Sequence, residues 1–298
     1  MKIEKLSPAY KDYLWGGERL KTDYGKTTDM TPLAESWELS VHPDGEARTA
    51  SGVPLSLALT KERMGTNAAR HALFPVLTKF IDAKADLSVQ VHPSDEYALK
   101  NEGSLGKTEM WYVCAADEGA GIYLGMKRDT SREEFETAIN EKRLTELLNF
   151  FPVKAGDCFF IPAGTIHAIG KGCLIYEIQQ SSNITYRVYD YGRKDKNGNE
   201  RELHVEKAKA VSTLTKFEPI TFEEGVLGRC DYFTARKLTA DGTASLTAGK
   251  ESFHAITAIE GEGSVSGIDF KKGDTLLVPA GYGKYEIIGK AEVIITSV

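Results

Sequence analysis

The sequence predicts a mainly β protein built from two similar β modules with a few short helices. The strongest observation is a repeated phrase, Lys-x-Gly-Asp followed by an apolar run and Pro-Ala-Gly, at residues 154–164 and again at residues 271–281. A second observation is that short runs with strand-like alternation recur between glycine-containing turns. Helical patterns are confined to a few stretches. A recurring phrase of this kind indicates a duplicated module.

Length, charge and composition narrow the class of protein. The length and the repeat predict two domains, at residues 1–217 and 218–298. The net charge of −6, without a dense Lys/Arg block, argues against binding to nucleic acid or to an anionic membrane. We expect a cytoplasmic protein with reduced thiols, because the sequence has no signal pattern, no apolar run of 18 residues and no paired cysteine motif. The oligomeric state is left open.

The first third of the chain predicts a glycine-rich turn, a strand and a helix. Around Trp15, a large aromatic stands beside two glycines, as a backbone curling beneath a pocket requires; the alternative is a core tryptophan at a turn. Residues 35–40 alternate as a strand. Residues 54–72 have the composition of a helix.

The stretch at residues 87–93 predicts a strand with one chemical face. Its valines point one way, and Ser88, Gln90 and His92 point the other. A polar strand face that meets solvent is the ordinary alternative. However, an amide oxygen and an imidazole about 7 Å apart along one face suit two ligands of one metal ion.

Two further candidates for metal ligands follow. The pattern of residues 107–113 places Glu109 on an apolar strand face, where a carboxylate must be paired, hydrated or bound to a metal. Residues 157–167 predict two antiparallel strands joined by a tight corner, with His167 just beyond it. Two imidazoles, a carboxylate and an amide oxygen suit a borderline divalent ion, Zn²⁺ first, with Fe²⁺ or Mn²⁺ as alternatives.

The remaining segments predict scaffold. Residues 131–149 predict the clearest helix, with a capping-box start. Residues 194–200 indicate a solvated hairpin or loop, and residues 202–216 a short helix. In the second module Lys284 stands nearest to the place of the histidine in the first copy, so we expect that module to be free of metal.

The same stretches resemble a known family. Residues 88–93, 107–112, 162–168 and 177–187, with the Tyr-x-Trp-Gly opening, stand in the order found in type I phosphomannose isomerases, and the short bacterial form is the most similar. The resemblance implies two cupin-like jelly-roll modules. It also implies interconversion of mannose 6-phosphate and fructose 6-phosphate through an enediol or enediolate, with a phosphosugar as the small-molecule partner.

Site roles follow from this resemblance by position. One zinc ion per chain is expected on Gln90, His92, Glu109 and His167. The expected catalytic residues are Arg187, Glu177 and Lys107. Glu177 and Lys107 are the candidates for the base that transfers the proton. The expected substrate-binding residues are Trp15, Ser88, Lys107 and Arg193, of which the last two are candidates for the phosphate.

The sequence also departs from the long members of the family. Leu105-Gly106 stands where those members carry Asn-His, and the stretch ending at Arg187 is one residue longer, which leaves the pose of that arginine open. Two alternative functions stay open for the same ligand pattern. One is an Fe(II) cupin oxygenase, although an amide ligand would consume an open coordination position. The other is a non-enzymatic sugar-binding cupin.

Overall fold

The computed structural model describes residues 1–194 and 198–298. Strands hold 42% of the chain and helices 15%, which confirms the predicted mainly β class. Within the described residues, no helix combines the length and the apolar character needed to cross a membrane. Of the predicted hairpin or loop at 194–200, residues 195–197 lie outside the described part, and Lys194 and Glu200 flank them as an antiparallel bridge.

The helices are short and lie between the strands. They are α1 Arg19–Thr22, α2 Leu55–Ala58, α3 Lys61–Ala69, α4 Asp95–Asn101, α5 Arg132–Asn140 and α6 Val205–Val211, with a 3₁₀ turn at Leu144–Leu147. The strands are β1 Glu4–Ser7, β2 Ala9–Lys11, β3 Glu35–Leu39, β4 Arg48–Thr49, β5 Val76–Ala83, β6 Val89–Val91, β7 Glu109–Ala116, β8 Gly121–Met126, β9 Leu148–Pro152, β10 Cys158–Ile161, β11 His167–Ile169, β12 Cys173–Gln180, β13 Tyr186–Tyr189, β14 Val226–Arg229, β15 Thr234–Ala248, β16 His254–Val265, β17 Ile268–Lys271, β18 Thr275–Val278 and β19 Gly283–Ser297.

Two antiparallel sheets form the first module. One has six strands in the order β10-β7-β12-β5-β3-β2, and the other has five in the order β13-β6-β11-β8-β9. The central strands β5 and β12 are buried along their whole length. Such burial on both faces is what allows polar side chains of these strands to act in a dry interior.

A third antiparallel sheet of eight strands forms the second module. Its order is β14-β15-β19-β16-β18-β1-β4, with β17 paired to β16. The N-terminal strand β1 pairs with β18, so residues of the predicted first domain extend the sheet of the second. One hydrophobic cluster holds Phe80 and Tyr176 together with Phe253 and Ile294. The proposed division at residue 217 therefore separates two modules that share a core.

The repeated phrase is a repeated turn. In the first copy the backbone N–H of Lys154 donates to the Asp157 carboxylate at 2.9 Å, and in the second that of Lys271 donates to Asp274 at 2.8 Å. The intervening glycines, Gly156 and Gly273, have φ angles of 94° and 88°. Because glycine adopts this left-handed backbone without strain, both copies need it there. The turns start β10 and β18 respectively.

The structure contradicts the prediction that residues 157–167 form a pair of antiparallel strands. Strands β10 and β11 do not pair with each other: β10 pairs with β7, and β11 pairs with β6 and β8. The corner turns the chain out of one sheet and into the other. Gly164, with φ of 87°, donates its N–H to the carbonyl of His92 at 2.8 Å, which holds the corner against the end of β6.

The helix predicted at residues 131–149 is half as long as expected. Ser131 caps α5 by accepting a hydrogen bond from the N–H of Glu134, as the capping-box pattern predicted. The helix ends at Asn140, because Lys142 adopts a left-handed φ of 59°. Leu148 then begins β9, where its backbone joins the ladder with β8. The predicted helix at 54–72 forms as α2 and α3, and that at 202–216 as α6.

A buried ion pair joins the two modules. Lys26 Nζ lies 2.6 Å from Glu38 Oε1 and donates to the carbonyl of Gly273 at 2.6 Å. Ser36 donates to Oε1 of the same carboxylate at 2.6 Å, and Thr275 donates to Oε2 at 3.3 Å. Burial raises the pKa of Glu38 even though Lys26 opposes the shift. Loss of one partner would leave the other charge buried and alone.

We therefore expect Lys26→Met to lower the free energy of unfolding by about 3–5 kcal/mol. The double variant Lys26→Met/Glu38→Gln should recover most of this loss, because no bare charge remains. The loss in the single variant should also shrink as pH falls, since protonation neutralises Glu38. Urea unfolding of the three proteins at two pH values checks this. A double variant as unstable as the single one would contradict it.

Candidate metal centre and its cavity

Three of the four candidate metal ligands, His92, Glu109 and His167, come together from both sheets of the first module. Gln90 of β6 lies directly opposite His167 of β11 in the antiparallel ladder, so the two side chains share a face. His92 follows β6 immediately, and Glu109 begins β7 in the facing sheet. The corner after β10 is what brings a histidine of one sheet over a carboxylate of the other.

The donor atoms of three of these residues are close together and buried. His167 Nε2 lies 3.3 Å from Glu109 Oε1, and His92 Nε2 lies 3.5 Å from Glu109 Oε2. One ligand atom from each of the three falls within 4.8 Å of the others. Each side chain is at most 2% exposed. The structure therefore contains a His-Glu-His group that could hold a metal ion.

Backbone carbonyls orient both imidazoles. His92 Nδ1 donates to the carbonyl of Ile184 at 2.8 Å, and His167 Nδ1 donates to that of Thr165 at 2.9 Å. Because a carbonyl oxygen can only accept, Nδ1 carries the proton in both rings. Each Nε2 then presents its lone pair toward Glu109. A hydrogen bond of this kind on the remote nitrogen is typical of histidines that bind metals.

Unpaired polar atoms support the fit of a divalent ion. His167 Nε2 and Glu109 Oε1 are buried and have no hydrogen-bond partner among the described residues, whereas Glu109 Oε2 forms an ion pair with Lys107 Nζ at 2.7 Å. Burial lowers the pKa of His167 to about 4 and that of His92 well below its ordinary value, so both rings are neutral at pH 7. Two donors about 2.1 Å from one ion at a tetrahedral angle stand about 3.4 Å apart. The separations of 3.3 Å between His167 Nε2 and Glu109 and of 3.5 Å between His92 Nε2 and Glu109 are close to this distance.

Two lysines neutralise the carboxylates beside this group. Lys107 Nζ lies 2.7 Å from Glu109 Oε2 and 3.2 Å from Glu177 Oε1. Lys79 Nζ lies 3.4 Å from Glu177 Oε1 and 3.4 Å from Glu35 Oε1. We call Lys79 and Lys107 the lysine pair. Burial would raise the pKa of Glu177, but the lysine pair outweighs it and holds this pKa below its ordinary value.

A cavity of about 260 Å³ opens beside the metal candidates. The expected site residues on its wall are Trp15, Ser88, Gln90, Lys107, Glu177 and Arg187. The bend at Trp15 needs its glycines, because a Cβ on Gly16 would lie 2.6 Å from the backbone of Ala34. The structure thus gathers most of the expected site at one place, and the roles of these residues stay predictions.

Arg193 is placed differently from the other expected residues. It donates to the carboxylate of Asp190 and to the carbonyl of Asp86, and it is not among the residues that line the cavity in the described part of the chain. Arg201, which also pairs with Asp190, does line the cavity. We call Arg193 and Arg201 the arginine cluster.

Three charged residues on the wall of this cavity are not among those predicted from the sequence: Glu35, Lys79 and Arg201. A signal existed for Lys79, since a lysine within the apolar strand Val76–Ala83 must find a partner if it is buried. Residues 35–40 alternate as an ordinary strand, so the pattern gives no sign that Glu35 lines a site. Arg201 stands in a polar loop, where nothing in the local pattern separates it from a solvated charge.

A larger groove lies elsewhere, and its chemistry differs. It has a volume of about 880 Å³ and runs past Tyr24, Glu260 and Lys272. Lys272 pairs with Glu260 and lies 4.7 Å over the ring of Tyr24, so its charge is already partnered. The buried ligand group and the lysine pair adjoin the smaller cavity, which is therefore the candidate site.

The fold and the site define a cupin-type β protein with a buried two-histidine, one-carboxylate centre. The model of phosphomannose isomerase type I, catalytic domain, matches residues 3–116, and that of the mannose-6-phosphate isomerase cupin domain matches residues 223–298. With the relatives described next, these matches establish that the chain belongs to the type I mannose-6-phosphate isomerase family, as its motifs suggested.

Relatives match along nearly the whole chain. Mannose-6-phosphate isomerase ManA of Bacillus subtilis is 40% identical, over 98% of this chain and 97% of that protein. Mannose-6-phosphate isomerase of Streptococcus mutans is 39% identical, over 94% and 93%. The crystal structure of the mannose 6-phosphate isomerase from Bacillus subtilis superposes with a TM-score of 0.92 at 35% identity, over 100% of both chains. Membership of this family makes the chain an enzyme of the mannose-6-phosphate isomerase class.

We expect His167→Ala to lose its metal while the chain stays folded. The change removes one of the two imidazoles and leaves the carboxylate of Glu109 with a single neighbouring ring. After dialysis against zinc, elemental analysis should find about one ion per wild-type chain and little in the variant. The matched control is His254→Ala in the second module, where Nδ1 pairs with the hydroxyl of Tyr285 at 2.7 Å. Full occupancy in His167→Ala would refute the ligand assignment.

Proposed function

We propose that the chain interconverts mannose 6-phosphate and fructose 6-phosphate with one zinc ion held by Gln90, His92, Glu109 and His167. The observation that carries the proposal is the buried group formed by the carboxylate of Glu109 and two neutral imidazoles, in which Glu109 Oε1 and His167 Nε2 have no hydrogen-bond partner among the described residues. The relatives named as mannose-6-phosphate isomerases supply the substrate. When bound, zinc supplies a Lewis acid that polarises a sugar oxygen.

Zinc is the proposed ion because the donor atoms of the site suit it. Imidazole nitrogen and carboxylate oxygen are donors that zinc accepts at tetrahedral sites. Gln90 is the proposed fourth ligand, since it lies opposite His167 in the ladder and its side chain lines the cavity. These residues would also accept Fe²⁺ or Mn²⁺, so the identity of the ion belongs to the proposal.

The isomerisation moves a proton between C2 and C1 of the sugar. We assign this transfer to Glu177, whose carboxylate lies on the cavity wall. Its Oε2 accepts a hydrogen bond from Trp111 Nε1 at 2.9 Å, while Oε1 forms ion pairs with Lys107 at 3.2 Å and Lys79 at 3.4 Å. That oxygen can take the proton from C2 and return it to C1. The second candidate, Lys107, is already engaged with two carboxylates.

Fixed positive charge is needed where negative charge develops on O1 and O2. Lys107 and Arg187 both line the cavity and are the proposed groups for this role. Arg187 lies opposite Gln90 in the ladder between β13 and β6, so the two residues are neighbours. Its Nη1 donates to the carbonyl of Glu202 at 2.9 Å, which restricts its orientation.

The other expected residues complete the proposal. Trp15 and Ser88 form part of the wall that the sugar contacts. Arg193 is the candidate that the family resemblance supplies for the phosphate, and it acts on the cavity through its partner Asp190. We assign catalysis to residues 1–217 and a supporting, metal-free role to residues 218–298.

Metal removal is the direct test of the zinc proposal. We expect purified protein to convert mannose 6-phosphate, to lose activity by a factor on the order of 10² or more after exhaustive chelation, and to regain it with zinc. A coupled assay for fructose 6-phosphate measures each state. Turnover that survives with less than a tenth of the metal left would overturn the proposal, as would failure of every added divalent ion to restore it.

A pair of buried carboxylates tests the choice of base. Glu177 and Glu35 both lie 3.4 Å from Lys79 Nζ and both line the cavity. We expect Glu177→Gln to lower kcat by about 10²–10⁴, because an amide cannot accept the proton. Glu35→Gln should lower kcat by less than about tenfold while changing the same lysine environment. Equal losses in the two variants would show that Glu177 acts on charge balance alone.

A further inference from the structure

The carboxylate of Asp190 organises one end of the cavity. It is 5% exposed and pairs with two arginines. Arg201 grips it with two bonds, Nε to Oδ2 at 2.7 Å and Nη2 to Oδ1 at 2.5 Å. Arg193 donates to Oδ1 as well. A two-bond grip of this kind fixes the plane of a guanidinium.

Positive charge is in excess at this end of the cavity. Among the described residues, the lysine pair forms ion pairs with three glutamates, whereas the two guanidiniums of the arginine cluster share one buried carboxylate. The nearby carboxylate of Glu202 is 83% exposed, and its Oε2 lies 3.9 Å from His204 Nε2. Burial, followed by the charge of Arg201, lowers the pKa of Arg187, which reports crowding of like charges. The arginine cluster exceeds Asp190 by one positive charge, which would attract a phosphate monoester carrying about −1.5 to −2 at pH 7.

Strand geometry places this excess away from the metal ligands. Ser88 precedes Gln90 by two residues, which is about 7 Å along a strand. Strand β13 runs antiparallel beside β6, with Tyr189 opposite Val89, so Asp190 falls at the Ser88 end. A hexose that reaches the metal ligands with C1 and C2 would therefore extend its C6 substituent toward Asp190 and its arginines.

We infer that Arg201 binds the phosphate of the sugar phosphate directly and that Asp190 positions it. This inference rests on the proposed function for its substrate. Arg201 lines the cavity and Arg193 does not, so Arg193 contributes through Asp190. Arginine suits the task, because its guanidinium stays charged and offers paired donors to phosphate oxygens. Arg201 thus sets the preference for a phosphorylated sugar.

The test is Arg201→Met, which removes the charge and leaves Asp190 paired with Arg193. We expect kcat/KM for mannose 6-phosphate to fall by about 10–100-fold, mainly through KM, because a charge-assisted hydrogen bond is lost. The inhibition constant of inorganic phosphate should rise by a similar factor. Metal content and the unfolding midpoint should stay near those of the wild type, which separates binding from folding.

Two further variants sharpen the result. Arg201→Lys keeps the charge and should recover most of the affinity for inorganic phosphate. Arg193→Met should raise KM by less than Arg201→Met does, because its effect passes through Asp190. An unchanged KM and phosphate inhibition in Arg201→Met, or a larger loss in Arg193→Met, would overturn the assignment to Arg201.

Titration calorimetry with inorganic phosphate separates this inference from the proposed function. Absence of wild-type turnover with metal restored would defeat the proposed function. Weaker phosphate binding by Arg201→Met would still support the anion site in that case. Equal phosphate binding by wild type and Arg201→Met would defeat the inference even if the isomerase activity is high.

Discussion

The structure depends on one costly arrangement, a carboxylate and two imidazoles held together in a dry interior. Glu109 is 1% exposed, and its oxygens face two imidazole nitrogens whose lone pairs point at them. Burying such a group bare is strongly unfavourable, so a cation has to complete it. Lys107 Nζ, 2.7 Å from Glu109 Oε2, supplies one such charge, and a metal ion held by the same group is the proposed second. The sheets, the corner and the two carbonyl-bound histidines serve to hold this arrangement in place.

The two copies of the β module have different proposed roles: the first carries the chemistry, and the second supports it. Both modules use the same Lys-x-Gly-Asp turn and the same Pro-Ala-Gly corner, which fix the backbone in two places. In the second copy the interior is filled with apolar side chains such as Ile256, Val278 and Ile287. That copy contributes instead through contact: the hydroxyl of Tyr176 meets that of Thr257 at 2.7 Å. A packed partner of this kind can hold β12, and with it Glu177, in one position.

The features that could be predicted from the sequence are those that depend on neighbouring residues along the chain. Alternation in a strand identified the face of Gln90 and His92, and the apolar setting of Glu109 marked it as a buried charge. The sequence could not tell that β10 and β11 lie in different sheets, because their partners β7 and β6 are distant along the chain. The pairing of Lys79 with Glu35 and Glu177 is equally non-local. The end of α5 was missed because one left-handed residue, Lys142, outweighed an apolar pattern that continues past it.

The two kinds of cation in the cavity have different physical properties, and their positions reflect this. Lysine changes its proton affinity readily when it is buried, and the lysine pair lies among carboxylates where a proton has to move. Arginine keeps its charge, and the arginine cluster stands at the other end in excess over Asp190. A permanent surplus of charge favours binding a dianion, whereas a balanced set of lysines and carboxylates favours proton transfer. This division would let one cavity hold the phosphate firmly while the protons at C1 and C2 are exchanged.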